Sequence, residues 1–374
     1  MMRARAIIPD GDVAHAPLPR HPRALDAMLF VVAALACLGI VMAMSVQGAS
    51  KGVELAVKEQ GAKLAFATLA FLALAITPLP WLRRMARPAF IVAVGLCLVA
   101  ALFGPERNYA RRWLPWGGQP VEFARFALIV FCAAHVARVG AEIRSFWRGM
   151  CPLIGAASVL AGVLALQPDM GNALLSMAIA TAVAVVAGVK LRWFGLLALP
   201  ALVGFVCVAL QQGYIQKRIA GFLSGEPGYQ VSQSLLAISS GGLTGRGLGA
   251  GVMKLGYVPE ANNDFVFAII GEELGLLGCG LVLAAYGVIA VAGFLLMGRC
   301  RDPFARYIVF GFTFAISLQA AMNLCVVTGV VPPKGIDLPF VSSGGTNLLF
   351  CMAAMGIIGN AVRASYAPQV SRRD

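Results

Sequence analysis

An all-α polytopic membrane fold with about ten transmembrane helices is the architecture that this sequence predicts, and three observations support it. Hydrophobic residues make up 59% of the 374 residues and charged residues only 13%, a balance that no single water-soluble core can accommodate. Apolar runs of about 20 residues, the length that crosses a hydrocarbon layer of roughly 30 Å, recur from residue 27 to the C-terminus. These runs are continuous rather than alternating, which favours helices over the strands of a membrane barrel.

The predicted spans form one transmembrane domain between two short tails. The spans cover residues 27–46, 62–80, 88–104, 121–139, 150–166, 170–188, 193–212, 265–297, 304–329 and 340–362. The domain runs over residues 25–363, with cytoplasmic tails at 1–24 and 364–374. The first tail is polar and contains proline, so we expect it to be disordered and not to be a cleaved signal. The eighth span is the longest, and we expect it to tilt or to begin outside the hydrocarbon.

The distribution of basic residues sets the orientation of the spans. With the N-terminus inside, more than half of the 30 Lys and Arg residues fall in short cytoplasmic connections, as the positive-inside rule requires. Both termini are therefore expected in the cytoplasm. The net charge of +13 is then a consequence of topology, and no nucleic-acid partner is expected.

The longest connection, residues 213–263, lies on the outer face between the seventh and eighth spans. Connections longer than about 15 residues are usually functional or disordered. Residues 230–239 have an ordered pattern, so we expect a folded loop that rests on the outer mouth of the bundle. Its glycine-rich run at 245–249 follows no strand, so tight turns and close packing explain it better than nucleotide binding. Oriented N–H groups near Gly344 could also hold an anion.

Cysteine and histidine indicate neither a disulfide framework nor a metal site. The nine cysteines are scattered through or beside apolar runs without a CxxC pair, and we interpret them as small core residues. His135 is the one histidine inside an apolar run, and a packed polar residue is the favoured interpretation. The sequence therefore predicts no histidine metal site and no Ser-His-Asp triad.

Three carboxylates, Asp264, Glu272 and Glu273, lie close together at the start of the eighth span. A helical rotation of about 100° per residue places Asp264 and Glu273 on opposite sides, so the three cannot act as one pair. Two interpretations of Asp264 are open. An aspartate just before an apolar helix is a common N-cap, because its carboxylate accepts free N–H groups. The functional alternative is a general base at the outer mouth, which takes a proton from a sugar hydroxyl attacking an anomeric carbon.

The remaining acids of the predicted spans are expected to be paired. For Glu272 and Glu273 we favour pairing with arginine or polar groups of neighbouring helices, because an unpaired ion in a bilayer is costly. Glu122 and Arg125 are three residues apart on the fourth span and can pair locally. We assign all four a structural role in shaping a cavity.

Cations at the outer ends of the helices are the natural complement of a diphosphate. The group comprises Arg107, Arg111, Arg112 and Lys334. Guanidinium groups bind phosphate oxygens in a bidentate way, so these side chains could hold the head of a lipid diphosphate. The alternative for each of them is ordinary contact with membrane headgroups.

Six groups of short motifs follow one another along the chain. They are Arg111-Arg112-Trp113 with Gln119-Pro120 and Glu122; Gln167-Pro168-Asp169 with Gly171; Tyr229-Gln230-Val231 with Gln233-Ser234; Lys254-Leu255 with Pro259-Glu260-Ala261; Asp264-Phe265-Val266-Phe267 with Gly271-Glu272-Glu273-Leu274-Gly275; and Leu338-Pro339-Phe340-Val341-Ser342 with Gly344-Gly345. Any one of them is weak, whereas the ordered set is highly specific. In this set the chain resembles the SEDS family of shape, elongation, division and sporulation proteins, which includes FtsW and RodA. The Lys334-Gly335 pair is more similar to the FtsW branch than to the RodA branch.

The resemblance implies a peptidoglycan glycosyltransferase that polymerises lipid II at the periplasmic face of the bacterial inner membrane, in cell division. It implies as partners lipid II, a class B penicillin-binding protein transpeptidase and other membrane proteins of the division complex. The family's essential loop aspartate corresponds to Asp264. The substrate-binding residues that the motifs imply are Arg111, Arg112, Trp113, Lys334, Glu260 and Ser342.

This chain departs from the family pattern at three positions. Asn262 stands where the family has histidine, Ser343 where it has tyrosine, and Arg125 where it usually has lysine. In the mechanism that the resemblance implies, Asp264 deprotonates the acceptor hydroxyl while cations neutralise the donor diphosphate. A divalent cation, Mg²⁺ or Mn²⁺, could share that charge, although the sequence contains no dedicated ligand cluster.

Two alternatives from other functional classes stay open at this point. A lipid II flippase or transporter would use Glu272, Glu273 and Arg125 to line a path, and it predicts polar residues that continue to the inner face. Such residues are sparse, and the sequence has no convincing internal repeat. A non-catalytic membrane scaffold of the cell-wall synthesis complex would bind an enzyme through apolar helix faces.

Overall fold

The computed structural model describes residues 22–106, 110–195 and 228–366, together with residue 216. The α-helices with both ends in these ranges are α1 (Arg23–Lys51), α2 (Val53–Ile76), α3 (Leu79–Phe103), α4 (Pro120–Val139), α5 (Cys151–Leu166), α6 (Met170–Val186), α7 (Tyr229–Gly241), α8 (Val266–Arg299), α9 (Pro303–Val327) and α10 (Gly345–Tyr366). Eight helices of the described part are long and apolar enough to cross a membrane, and α6 is a shorter apolar helix. The predicted all-α, multi-pass fold is confirmed.

The predicted boundaries of the spans agree with the structure less closely than the prediction that the spans are helices. Of the seventh predicted span, 193–212, only residues 193–195 lie inside the described part, so the total of ten stays a prediction. The loop helix expected around residues 230–239 is α7, and it packs against α8. Residues 213–215 and 217–227 of the predicted loop lie outside the described residues.

Helices α2 and α3 begin earlier than hydropathy predicts, because charged residues lie within their first two turns. In α2, Lys58 pairs with Glu54 at 2.7 Å, and such pairs four residues apart stabilise a helix beyond the hydrocarbon. In α3 a proline stands in the first turn, where its missing N–H costs nothing. Arg83, Arg84 and Arg87 therefore belong to α3 itself and not to the connection before it.

The long helix α8 is broken at Gly275, where φ is +67° and ψ is −166°. This region of backbone conformation is essentially restricted to glycine. The N–H groups of Arg246 and Gly247 donate to the carbonyl oxygens of Glu272 and Glu273, both at 3.0 Å. The N–H groups just after the break donate back to the loop, so the α7–α8 loop (residues 242–265) takes over the hydrogen bonds that the break leaves open. The predicted long eighth helix is thus two helical pieces that meet at Gly275, and the α7–α8 loop is hydrogen bonded to both of them.

Buried apolar side chains form two packed groups. One is built mainly by α1, α8, α9 and α10, and the other mainly by α3, α4, α5 and α6. Helix α2 packs chiefly on α10, where Gly356 approaches the backbone of Phe71 so closely that a Cβ would not fit. This close approach is typical of small residues between membrane helices.

The α9–α10 connection (residues 328–344) is irregular but buried. Leu338, Phe340 and Val341 are each at most 2% exposed, and Phe340 has a positive φ of 66°. The tenth span was predicted to begin at 340, whereas α10 begins at Gly345. Apolar residues in this connection serve burial inside the protein, and irregular backbone is tolerated at such a place only because protein surrounds it.

Candidate active site

Asp264 lies at the end of the α7–α8 loop, two residues before α8, and is half-buried. The buried side chain of Asn323 in α9 holds it in place. Its Nδ2 donates to the backbone oxygen of Asp264 at 2.7 Å and to that of Ile336 at 2.6 Å. One amide thus ties the end of the loop to the α9–α10 connection.

The carboxylate of Asp264 lies against Gly335 in that connection. Its Oδ2 is 2.9 Å from the point where a Cβ on Gly335 would stand, so the absence of a side chain there permits the approach. Lys334 directly precedes Gly335 in the chain. The N-cap position of α8 is taken by Phe265 and not by Asp264, and the Phe265 side chain makes no capping hydrogen bond.

Two serines connect the loop and the α9–α10 connection further. The buried Ser342 hydroxyl donates to the backbone oxygen of Asn263 at 2.6 Å and accepts from the N–H of Leu338 at 2.7 Å. The N–H of Ser343 donates to the backbone oxygen of Asn262 at 3.0 Å. Ser342 was predicted to bind substrate, but its contacts are those of a residue that positions the backbone beside Asp264.

Lys334 and Arg112 both contact the start of α6. A Cβ on Gly171 would lie 3.6 Å from Cδ of Lys334, so the lysine side chain passes over the first turn of this helix. Arg112 donates to the backbone oxygen of Pro168 at 2.5 Å and lies 3.9 Å from the carboxylate of Asp169. The structure therefore brings both predicted cations to one helix end, with Arg112 engaged by the protein.

The other predicted substrate contacts are more peripheral. Arg111 forms a loose ion pair with Glu106 at 3.8 Å, and both side chains are at least half exposed, so the pair adds little stability. Trp113 is half-buried in the same segment. Glu260 is exposed, has a positive φ of 54° and accepts from Nδ2 of Asn263 at 3.1 Å. Arg107 lies outside the described residues.

Glu122 and Arg125 form the ion pair that their spacing predicts, and the pair continues into a network. Arg125 is 5% exposed and donates to Oε1 of Gln319 at 3.0 Å. Nε2 of Gln319 donates in turn to the backbone oxygen of Asp337 at 2.9 Å. This network connects α4 with the α9–α10 connection, so the expected structural role of the pair is supported by its contacts.

Asp337 is an acidic residue of the site that the sequence analysis missed. Desolvation and the nearby Glu122 raise the pKa of its carboxyl to about 6, against the opposing hydrogen bond from Asn347 and the charge of Arg125. The charge of Glu260 also raises the pKa of Asp337, to a smaller extent. A carboxylate between Ile336 and Leu338, directly before the last motif, is the signal that could have revealed it.

Glu272 and Glu273 are fully buried and hold the α7–α8 loop in place. Glu272 accepts from the N–H of Val252 at 2.8 Å, and Arg246 approaches it at 3.7 Å. Glu273 accepts from Nζ of Lys254 at 2.7 Å. The prediction that these acids are paired is confirmed, although most partners come from the loop, with the Ser45 hydroxyl of α1 donating to Glu273 at 2.6 Å.

The site as a whole is a set of acids and cations at one end of the bundle, on backbone that buried amides and hydroxyls position. Around Asp264 it can transfer a proton, and around Lys334 it can meet a negative charge. Within the described ranges no three His, Cys, Asp or Glu side chains are grouped to hold a metal ion.

Comparison with known proteins identifies the family. The chain matches the FtsW/RodA/SpoVE family, described as cell cycle proteins, over residues 26–367. It is 33% identical over 354 residues to a probable peptidoglycan glycosyltransferase FtsW of Thiomicrospira cyclica, which covers 90% of this chain and 91% of that protein. A relative of the same name from Geobacter sulfurreducens is 33% identical over 362 residues, 91% of this chain and 96% of that protein.

Solved structures agree with this assignment. A chain from work on the structural coordination of polymerization and crosslinking by a peptidoglycan synthase complex superposes with a TM-score of 0.76 at 26% identity, over 91% of this chain and 98% of that chain. The rod shape determining protein RodA of Thermus thermophilus superposes with a TM-score of 0.68 at 26% identity, over 91% and 97%. With a family match that spans nearly every described residue, this chain belongs to the FtsW/RodA/SpoVE family of cell cycle proteins.

Proposed function

We propose that Asp264 is the general base of a peptidoglycan glycosyltransferase that polymerises lipid II. The chain is a peptidoglycan glycosyltransferase, as its family and the names of its relatives indicate, and the FtsW name is consistent with a role in cell division. One observation carries the assignment of the base. Asp264 is half-buried, and its carboxylate lies against Gly335, the residue that follows Lys334.

The proposed reaction joins two lipid-linked disaccharides. Asp264 takes the proton of the acceptor hydroxyl, and the hydroxyl oxygen forms a bond to the anomeric carbon of the donor. The bond between that carbon and the diphosphate oxygen breaks, and the lipid diphosphate leaves with the electron pair. Lys334 is the cation best placed to stabilise the charge that develops on this leaving group, with Arg111 as an outer contact.

The roles of Arg112 and the Glu122–Arg125 pair follow from their contacts. Arg112 holds the start of α6, over which Lys334 passes, and so acts as a positioning residue. The Glu122–Arg125 pair supports the α9–α10 connection through Gln319. Trp113 and Glu260 are proposed to border the sugar-binding region, because both lie in segments next to these groups.

We infer that the site faces the periplasm of the inner membrane. The chain is a multi-pass membrane protein. The charges at the ends of two oppositely directed helices, α3 and α4, support this orientation. The start of α4 carries Glu122 at the site, whereas its last turn carries Arg138. The start of α3 carries three further arginines at that other end. An excess of arginine at one end of a bundle is typical of the cytoplasmic side.

We also infer that a transpeptidase works together with this chain. The structure with the TM-score of 0.76 comes from work on a synthase complex that polymerises and crosslinks peptidoglycan. A class B penicillin-binding protein is the partner that fits this description, and other membrane proteins of the division complex are expected around it. Co-purification of the full-length chain with such a transpeptidase from detergent-solubilised membranes tests this association.

The test of the base assignment is glycan polymerisation by purified protein and its transpeptidase partner on lipid II. Asp264→Asn should abolish the ladder of glycan products on a gel, because loss of a general base typically lowers the rate by about 10² to 10⁴ fold. Asp302→Asn is the matched control, since Asp302 caps α9 at the other end of the bundle and asparagine caps equally well. Ladders of equal strength from both variants would remove the assignment.

The flippase alternative has lost its main structural support. Glu272 and Glu273 are 0% exposed, and Arg125 is 5% exposed and paired, so these three charges hold the fold together.

The participation of a divalent cation stays a hypothesis. Removal of cations by EDTA, followed by addition of Mg²⁺ or Mn²⁺, tests it: polymerisation that is lost and then restored supports a cation bound with the substrate diphosphate.

A further inference from the structure

A second cavity lies at the end of the bundle opposite to Asp264, between the start of α3 and the end of α4. Its volume is about 250 Å³, and four of its lining residues are Arg83, Arg84, Arg87 and Arg138. Glu122 and Arg138 are sixteen residues apart on α4, which corresponds to about 24 Å along the helix axis. This cavity is therefore separate from the proposed catalytic region.

The charge of this arginine cavity is not balanced by the described protein. None of the described carboxylates forms an ion pair with any of the four arginines, whereas Arg112 and Arg125 at the other end do have acidic partners. Several guanidinium groups around one cavity repel each other, and an anion between them would relieve that repulsion. Such a group also supplies many directed N–H donors, which suit the oxygens of a phosphate.

The cavity wall is ordered by ring contacts. His135 donates from Nε2 to the backbone oxygen of Arg148 at 2.8 Å, and its ring is nearly parallel to that of Phe131 at 6.2 Å. Phe131 in turn stacks on Phe90 at 5.3 Å. The prediction that His135 is a packed polar residue fits these contacts. The rings give the cavity one fixed apolar wall beside its charged rim.

An exposed apolar stripe runs from the arginines along α3. Ile91 is four residues after Arg87 and seven after Arg84, so the three share one helix face. Ile91 is 70% exposed, and Leu98 and Leu102 continue the stripe with 40% and 56% exposure. Because α3 is long and apolar enough to span a membrane, this stripe is the surface that acyl chains would cover.

We propose that the arginine cavity binds the phosphate of an anionic phospholipid, with the acyl chains lying along the α3 stripe. Basic pockets between membrane helices on the cytoplasmic side are suited to such headgroups. The adjoining stripe favours a lipid over a soluble phosphate, because only a lipid can contact both the charged rim and the apolar face.

The test is lipid binding by the full-length protein in detergent, measured by native mass spectrometry during titration with cardiolipin. The variant Arg87→Gln/Arg138→Gln should bind cardiolipin about 30-fold more weakly, at roughly 1 kcal/mol for each arginine removed. The matched control is Arg299→Gln/Arg301→Gln, which removes the same charge from exposed positions near the C-terminal end of α8. Phosphatidylethanolamine, which has no net charge, should bind the wild type weakly.

Two further measurements distinguish a lipid phosphate from a soluble phosphate and control for misfolded variants. Arg87→Lys/Arg138→Lys keeps the charge, so it should retain more cardiolipin than the glutamine variant at an unchanged size-exclusion profile. Equal loss of cardiolipin in the pocket and control variants would overturn the proposal. Displacement of cardiolipin by equimolar inorganic phosphate would also overturn it, because the cavity would then bind a soluble anion.

Discussion

Asp264 and the Glu272–Glu273 pair belong to one short segment, yet the protein surrounds their charges in opposite ways. Both glutamates are fully buried, and the loop closes over them with backbone N–H groups and Lys254. Asp264 is half-buried, and Asn323 fixes it through its backbone oxygen. The comparison teaches that burial of an acid within an apolar sequence does not by itself indicate a catalytic role. An acid placed at a surface through its main chain is the better candidate.

The largest effect that sharpens this comparison is expected for Glu273→Gln. It should lower the free energy of unfolding by about 3–5 kcal/mol, because the ammonium group of Lys254, whose side chain is 5% exposed, would stay buried without its counter-charge. Thermal unfolding in detergent measures this. Glu142→Gln is the control, since the Glu142–Arg148 pair is exposed to solvent and adds little to stability. Equal shifts in the two variants would show that Glu273 does not clamp the loop.

A smaller effect, with a defined pH dependence, is expected for Asp337→Asn. The pKa of Asp337 is raised from 3.8 to about 6 in the folded protein, so between these values the folded chain binds more protons than the unfolded chain. Its stability should therefore fall as pH rises through this window, with the full penalty present above about pH 6. Asparagine is neutral throughout, so the variant should exceed wild type by about 1–3 kcal/mol at pH 7.5.

Unfolding curves at pH 4 and pH 7.5 check this prediction. At pH 4 the aspartate is largely protonated in the folded state, and the two proteins should have nearly equal stability. An advantage of the same size at both pH values would mean that the Asp337 carboxyl does not titrate in this window.

The smallest effect is expected for Gly335→Ala, and it concerns rate rather than stability. A Cβ at this position would stand 2.9 Å from Oδ2 of Asp264 and would displace the carboxylate by a few tenths of an ångström. Since small misplacements of reacting groups are costly, polymerisation should slow by about tenfold. Gly280→Ala is the control, because nothing lies within 4 Å of its added Cβ. Unchanged polymerisation in Gly335→Ala would separate the Gly335 contact from catalysis.

Much of the fold could be predicted from the sequence because lipid imposes a simple rule. Continuous apolar runs have to become helices, and most of the predicted spans correspond to helices of the structure. The rule fails where apolar residues are buried in protein instead of facing lipid. Residues 338–341 form a short apolar run, but they are irregular backbone buried beside the site, and hydropathy does not distinguish the two environments.

Some residues of the candidate site could be predicted from the sequence, and others could not. The Glu122–Arg125 pair follows from spacing on one helix, so it was found. Asp337 and Asn323 were missed, because their roles depend on contacts between α9, the α9–α10 connection and the α7–α8 loop. Ser342 was assigned to substrate from its motif alone, whereas the structure shows it hydrogen bonded to backbone. Long-range contacts of this kind leave no periodic signal along the chain.

The break at Gly275 has a mechanical consequence for an enzyme that works in a bilayer. Spanning helices change their tilt when membrane thickness changes. In α8 such a tilt acts on the residues beyond Leu277, because backbone hydrogen bonds fasten residues 272–277, on both sides of the break, to the α7–α8 loop. The backbone of Asp264, which Asn323 also holds, is thus positioned by contacts within the protein and not by the thickness of the surrounding lipid.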